Sequence, residues 1–118
     1  MAEEAVPVLQ KAVRLNPYPP SQYFHNLAFA YHQLEKYEEA IAEAKKAIRV
    51  SPKDIVAHRA LVSSYALLGR EEEARVAAEE VLRIDPDFSV DRYAKIVPFK
   101  NRDKLKELIA SYRMAGLK

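Results

Sequence analysis

Residues 21–54, SQYFHNLAFAYHQLEKYEEAIAEAKKAIRVSPKD, and residues 55–88, IVAHRALVSSYALLGREEEARVAAEEVLRIDPDF, are two copies of one pattern. Phe24, Leu27, Ala28, Tyr31, Leu34, Ala40, Ala44, Ala47, Val50 and Pro52 return at a constant shift of 34 residues as His58, Leu61, Val62, Tyr65, Leu68, Ala74, Ala78, Val81, Ile84 and Pro86. A fixed period of this length marks a stacked array, in which each unit covers the apolar face its neighbour leaves open.

Each unit reads as two helices. Phe24, Leu27, Ala28, Tyr31 and Leu34 recur at intervals of three and four and make one buried stripe; Ala40, Ile41, Ala44, Ala47, Ile48 and Val50 make another. Alanines on the facing sides let the two helices approach closely, and the short LEKYEEA link folds them into a hairpin. Gly69 stands where a left-handed residue ends a helix. Ser21 and Ser51-Pro52 are expected to mark helix starts. His58 stands where the preceding copy has the aromatic Phe24, and Val62 where it has the small Ala28, so the third unit is expected to be slightly splayed.

Ala5, Leu9, Ala12, Leu15 and Pro17 match the second half of the same unit, which makes residues 1–20 a half repeat and leads us to expect a fragment or truncated descendant of a longer array. The order of aromatic, Leu with a small residue, Tyr, Ala and closing Pro resembles the tetratricopeptide repeat family over nearly all of the first 88 residues. That resemblance implies an all-α, right-handed α-α superhelix, with the half repeat at 1–20, full repeats at 21–54 and 55–88, and a helical cap at 89–118.

In the last segment, SVDRYAKIV is expected to form a helix capped by Ser89 and stopped before Pro98. NRDKLKELIASYRMAG is expected to form another, capped by Asn101, closed by Gly116 and striped by Leu105, Leu108, Ile109 and Tyr112. A solenoid needs its last face covered, and this pair suits that task. NPYPPSQYFHNLAFAYHQLEKYEEAIAEAKKAI, SSYALLGREEEARVAAEEVLRIDPDFSV and the ending VPFKNRDKLKELIASYRMAGLK further resemble the carboxyl-terminal repeat region of bacterial regulatory proteins that carry a class III adenylate cyclase or other effector domain. No cyclase catalytic segment accompanies the likeness, so no cyclase activity is implied.

Composition narrows the function. The 118 residues are 49% apolar and carry a formal net charge of +2, which suits a globular domain. Cysteine is absent, which excludes disulfide scaffolds and thiolate metal sites, and fits a cytoplasmic protein. No apolar run is long enough for a membrane helix, and MAEEAVPVLQKAV has no secretory-signal pattern. No phosphate loop, nucleophile elbow or buried carboxylate pair points to catalysis, and no cofactor is expected. Residues 89–118 hold eight Lys or Arg against three acids, whereas residues 21–88 hold nine against twelve. Weak nucleic-acid binding by this basic tail, helped by Tyr93, Phe99 and Tyr112, is therefore an alternative function, set against a solvated helix face.

In a stacked array the first helices line a concave groove whose side chains choose the ligand. The expected groove residues are Gln22, His25, Asn26, Phe29, His32 and Gln33, then Val56, Arg59, Ala60, Ser63 and Ala66. The leading expectation is a non-catalytic scaffold that binds a peptide or partner protein there. Asn26 and Arg59 match part of the clamp with which some family members hold a peptide's terminal carboxylate. His25 and His32 lie seven apart, ~10 Å along a helix, too far to share one metal ion. Val6, Leu9, Ala12 and Val13 form an apolar stripe without its own first helix, which makes self-association, as a structural module of a larger regulatory protein, the other alternative.

Overall fold

In the computed structural model, residues 2–97 and 101–118 are described, and seven helices account for most of them: α1 (Ala2–Leu15), α2 (Ser21–Gln33), α3 (Tyr37–Val50), α4 (Ile55–Leu67), α5 (Glu71–Ile84), α6 (Val90–Ile96) and α7 (Arg102–Met114). No strand occurs among the described residues. Helices α2 and α3 form one antiparallel hairpin, α4 and α5 the next, and α1 packs against α2 as α3 packs against α4. The array is the expected all-α superhelix.

Small residues set the spacing of the helices. Ala28, Ala40, Ala44, Ala47 and Ala57 are fully buried along the helix contacts, with Leu27 and Leu61 beside them. Val62 is also fully buried, and His58 Nε2 lies 2.9 Å from the Pro52 carbonyl, so both departures from the usual pattern are absorbed into the packing.

The turns repeat with the period. Gly69 takes φ +78° at the end of the α4 segment, and Glu35, one period earlier, takes φ 62°. At these residues the Lys36 amide donates back to the Tyr31 carbonyl and the Arg70 amide to the Tyr65 carbonyl, both at 2.9 Å. The left-handed residue is what lets an orphan carbonyl at the helix end be reached.

Of the two expected helix starts, Ser21 opens α2 and the one at Ser51-Pro52 is displaced. Ser51 ends α3, and α4 begins only at Ile55, with Asp54 accepting from the Ala57 amide at 3.1 Å. The carboxylate supplies what a helix N-terminus needs, an acceptor with negative charge. Ser21 is the first helical residue of α2, after Pro20. The tail behaves as its sequence indicates at the described ends: Ser89 accepts from the Arg92 amide, Asn101 from the Lys104 amide, and Gly116 closes α7 at φ +102°. Pro98, Phe99 and Lys100 lie outside the described residues.

Candidate functional site

The expected concave groove is divided in two by the chain itself. Helix α7 runs back across the inner face of α4. At its start Lys104 Nζ reaches Glu35 Oε1 at 3.2 Å, and the Tyr37 hydroxyl donates to Glu107 Oε1 at 3.5 Å. At its end Tyr112 packs edge-on to Tyr93 and Phe88, with centroids 5.6 and 6.2 Å away, and the Val90 amide donates to the Lys118 carbonyl at 3.0 Å.

This placement decides which groove residues are open. Ser63 is 1% exposed, its hydroxyl donating to the Ala60 carbonyl at 3.4 Å, and Ala66 is buried. The Arg59 guanidinium lies 4.9 Å from the Tyr93 ring centre and 5.9 Å from that of Phe88. Arg59 therefore fastens the tail, and α6 and α7 roof the α4 half of the face, so that Arg59 and Ser63 line a covered pocket there. Between α2, α4 and this roof remains a cavity of about 220 Å³, which brings together His25, Phe29 and His32 of α2 with Val56, Arg59, Ala60 and Ser63 of α4.

The two α2 histidines have separate jobs. His25 Nδ1 stands 2.7 Å from Asp54 Oδ2, which joins α2 to the first turn of α4. Burial alone would raise the Asp54 carboxyl. Hydrogen bonds from His25, the Ala57 amide and the Ser21 hydroxyl outweigh it and hold the group below the usual carboxylate value. His32 is pushed down to about 4, first by burial and then by the charge of Lys104. Its Nε2 has no hydrogen-bond partner, and its ring stands edge-on to Tyr37 at 5.2 Å. Burial, helped by Glu107 and Glu35, pushes the Tyr37 hydroxyl up to about 12. No cluster of three or more metal-ligating side chains occurs among the described residues.

The α2 half of the face stays open. Gln22, Asn26, Phe29 and Gln33 are exposed, and Asn26, Phe29, Ala30 and Gln33 border a trough of about 490 Å³ whose other wall is Ala2, Ala5, Val8 and Leu9 of α1. Within the array, the corresponding corner between α3 and α4 is filled by α2. Val6, Leu9, Ala12 and Val13 are each half-buried, Gln10 Nε2 donates to the Tyr31 hydroxyl at 3.0 Å, and no α1 residue is fully buried. Val8, which the sequence reading left out, is 68% exposed on the trough wall.

The basic tail is partly neutralised in place: Lys104 meets Glu35, and Arg113 meets Asp91 at 2.5 Å. No helix among the described residues is long and apolar enough to cross a membrane.

Stacked helical hairpins with a divided inner face define a helical-repeat protein of the solenoid class. A family model described as tetratricopeptide repeat matches residues 21–54 and 60–88, and the chain belongs to that family. It is similar to the small glutamine-rich tetratricopeptide repeat-containing protein 2 of Mycosarcoma maydis, at 35% identity over 73% of this chain and 24% of the relative. It is also similar to the STIP1 homolog of Dictyostelium discoideum, at 35% identity over 70% of this chain and 14% of the relative. Across these relatives the chain spans a quarter of their length or less. The crystal structure of MamA shares the fold, with a TM-score of 0.71 at 22% identity over 97% of this chain and 66% of that one.

Proposed function

We propose that this chain is a non-catalytic scaffold that captures a peptide or partner-protein segment on the α1–α2 side of its concave face. The observation that carries the reading is the trough bordered by Val8, Leu9, Asn26, Phe29 and Gln33. Its apolar walls supply burial, and the amides of Asn26 and Gln33 offer directional hydrogen bonds at the rim. A helix or extended segment suits it, because α2 itself occupies the equivalent corner one repeat further on. The contact surface thus moves away from Arg59 and Ser63 towards the first two helices. The proposal includes a role as the partner-binding module of a larger regulatory protein.

The test is selection of peptides from a displayed library on the folded chain, followed by affinity measurement. Val8→Asp is expected to weaken the selected peptides at least tenfold, about 1.4 kcal/mol, with helical circular dichroism unchanged. Ligands that ignore Val8→Asp and Gln33→Glu but are lost with Arg59→Ala would move the binding site under the tail and end this reading.

A further inference from the structure

The convex side carries a second groove, between α3 and α5, of about 530 Å³. Its floor is apolar, with Leu61, Tyr65 and Ala77 all buried. Its two lips carry opposite charge: Lys45 and Arg49 project from α3, and Glu72, Glu73 and Glu80 from α5. Val76 stands on the acidic lip at 53% exposure.

The charges on the lips are unequally satisfied. Arg49 makes no ion pair among the described residues, and the Lys45 ammonium, 6.0 Å from the Tyr65 ring, is felt across the groove by Glu73 without reaching ion-pair distance. The three carboxylates pair with arginines of their own helix region: Glu73 with Arg70, Glu72 with Arg75, and Glu80 with Arg83. Such exposed pairs contribute little, and each carboxylate retains lone pairs for a second cation. The basic lip is therefore the less satisfied of the two, with Arg49 lacking a counterpart and Lys45 held to a carboxylate only at longer range.

We propose that the occupant of this groove is a second copy of the chain. A surface with an apolar strip between one basic and one acidic edge is complementary to itself. When two copies meet about a two-fold axis lying along the strip, each Lys45–Arg49 edge faces the partner's acidic edge. With the axis across the strip, like edges oppose one another, so the charges select one orientation. Association removes Val76 and the half-buried Ile48 from water, and the charge pattern fixes the register.

The test uses sedimentation equilibrium on the full chain. Wild type is expected to dimerise, and both Lys45→Glu/Arg49→Glu and Glu72→Lys/Glu80→Lys are expected to raise the dimer Kd at least tenfold. Mixing the two variants in equal amounts is expected to restore dimers, because every edge then meets its opposite. Circular dichroism checks folding, and Lys45→Gln/Arg49→Gln provides the same readout should a reversed charge unfold the chain. A wild type that stays monomeric to about 1 mM, equal association of all variants, or a dimer abolished by Val8→Asp instead would each overturn the proposal.

Discussion

His25 Nδ1 and Asp54 Oδ2, 2.7 Å apart, couple the first helix of one repeat to the cap of the next. One carboxylate thus serves both a helix end and an inter-repeat contact. Asp54→Ala should cost about 1–2 kcal/mol in urea unfolding near neutral pH, since it removes a cap and orphans the ring of His25. The folded-state pKa of Asp54 is lowered, so its contribution is present above the ordinary carboxylate range and fades as pH falls through that lowered value. Wild type and Asp54→Ala should therefore converge only in strong acid.

His32 gives the opposite end of the same logic. A histidine held down to about 4 resists protonation in the fold while the unfolded chain binds a proton near 6.5. Stability is then complete above 6.5 and declines as pH falls towards 4, by up to about 3 kcal/mol. His32→Phe should flatten that decline, measured as the difference in urea midpoint between pH 7.5 and 4.5.

Arg59 holds the tail through Tyr93 and Phe88 rather than through a carboxylate. Arg59→Ala should loosen α6 and α7 by about 1–2 kcal/mol while leaving α2 and α3 intact. Hydrogen exchange should quicken selectively in residues 90–96 and 102–114. Uniform quickening would mean that the tail does not open on its own.

Glu35 adopts the left-handed conformation that Gly69 adopts one period later, and a side chain there carries strain. Glu35→Gly should raise stability by roughly 0.5 kcal/mol even though it removes the exposed pair with Lys104. Gly69→Ala should lower it by about 1 kcal/mol: nothing lies within 4 Å of an added Cβ, so the cost is conformational.

The repeat was legible because its determinants are local in sequence. Spacings of three, four and 34 residues place Leu27, Ala44 and Val62 on buried faces whatever the rest of the chain does. Ser89, Asn101 and Gly116 act within one turn of their own position and were equally readable. The cap of α4 was missed because Ser51-Pro52 offered a conventional start and Asp54, which also meets α2, lies three residues further on. The roof over Arg59 and Ser63 was out of reach of periodicity. It depends on contacts such as Lys104 with Glu35 and Tyr37 with Glu107, 69 and 70 residues apart.

The aromatic stack of Phe88, Tyr93 and Tyr112 has an optical corollary. With no tryptophan and seven tyrosines in the chain, near-ultraviolet ellipticity comes from phenol and phenyl rings alone, and the three rings locked in this stack should dominate it. Seating and release of the final two helices can therefore be followed as a colourless, label-free signal, even while the far-ultraviolet helix bands hardly change.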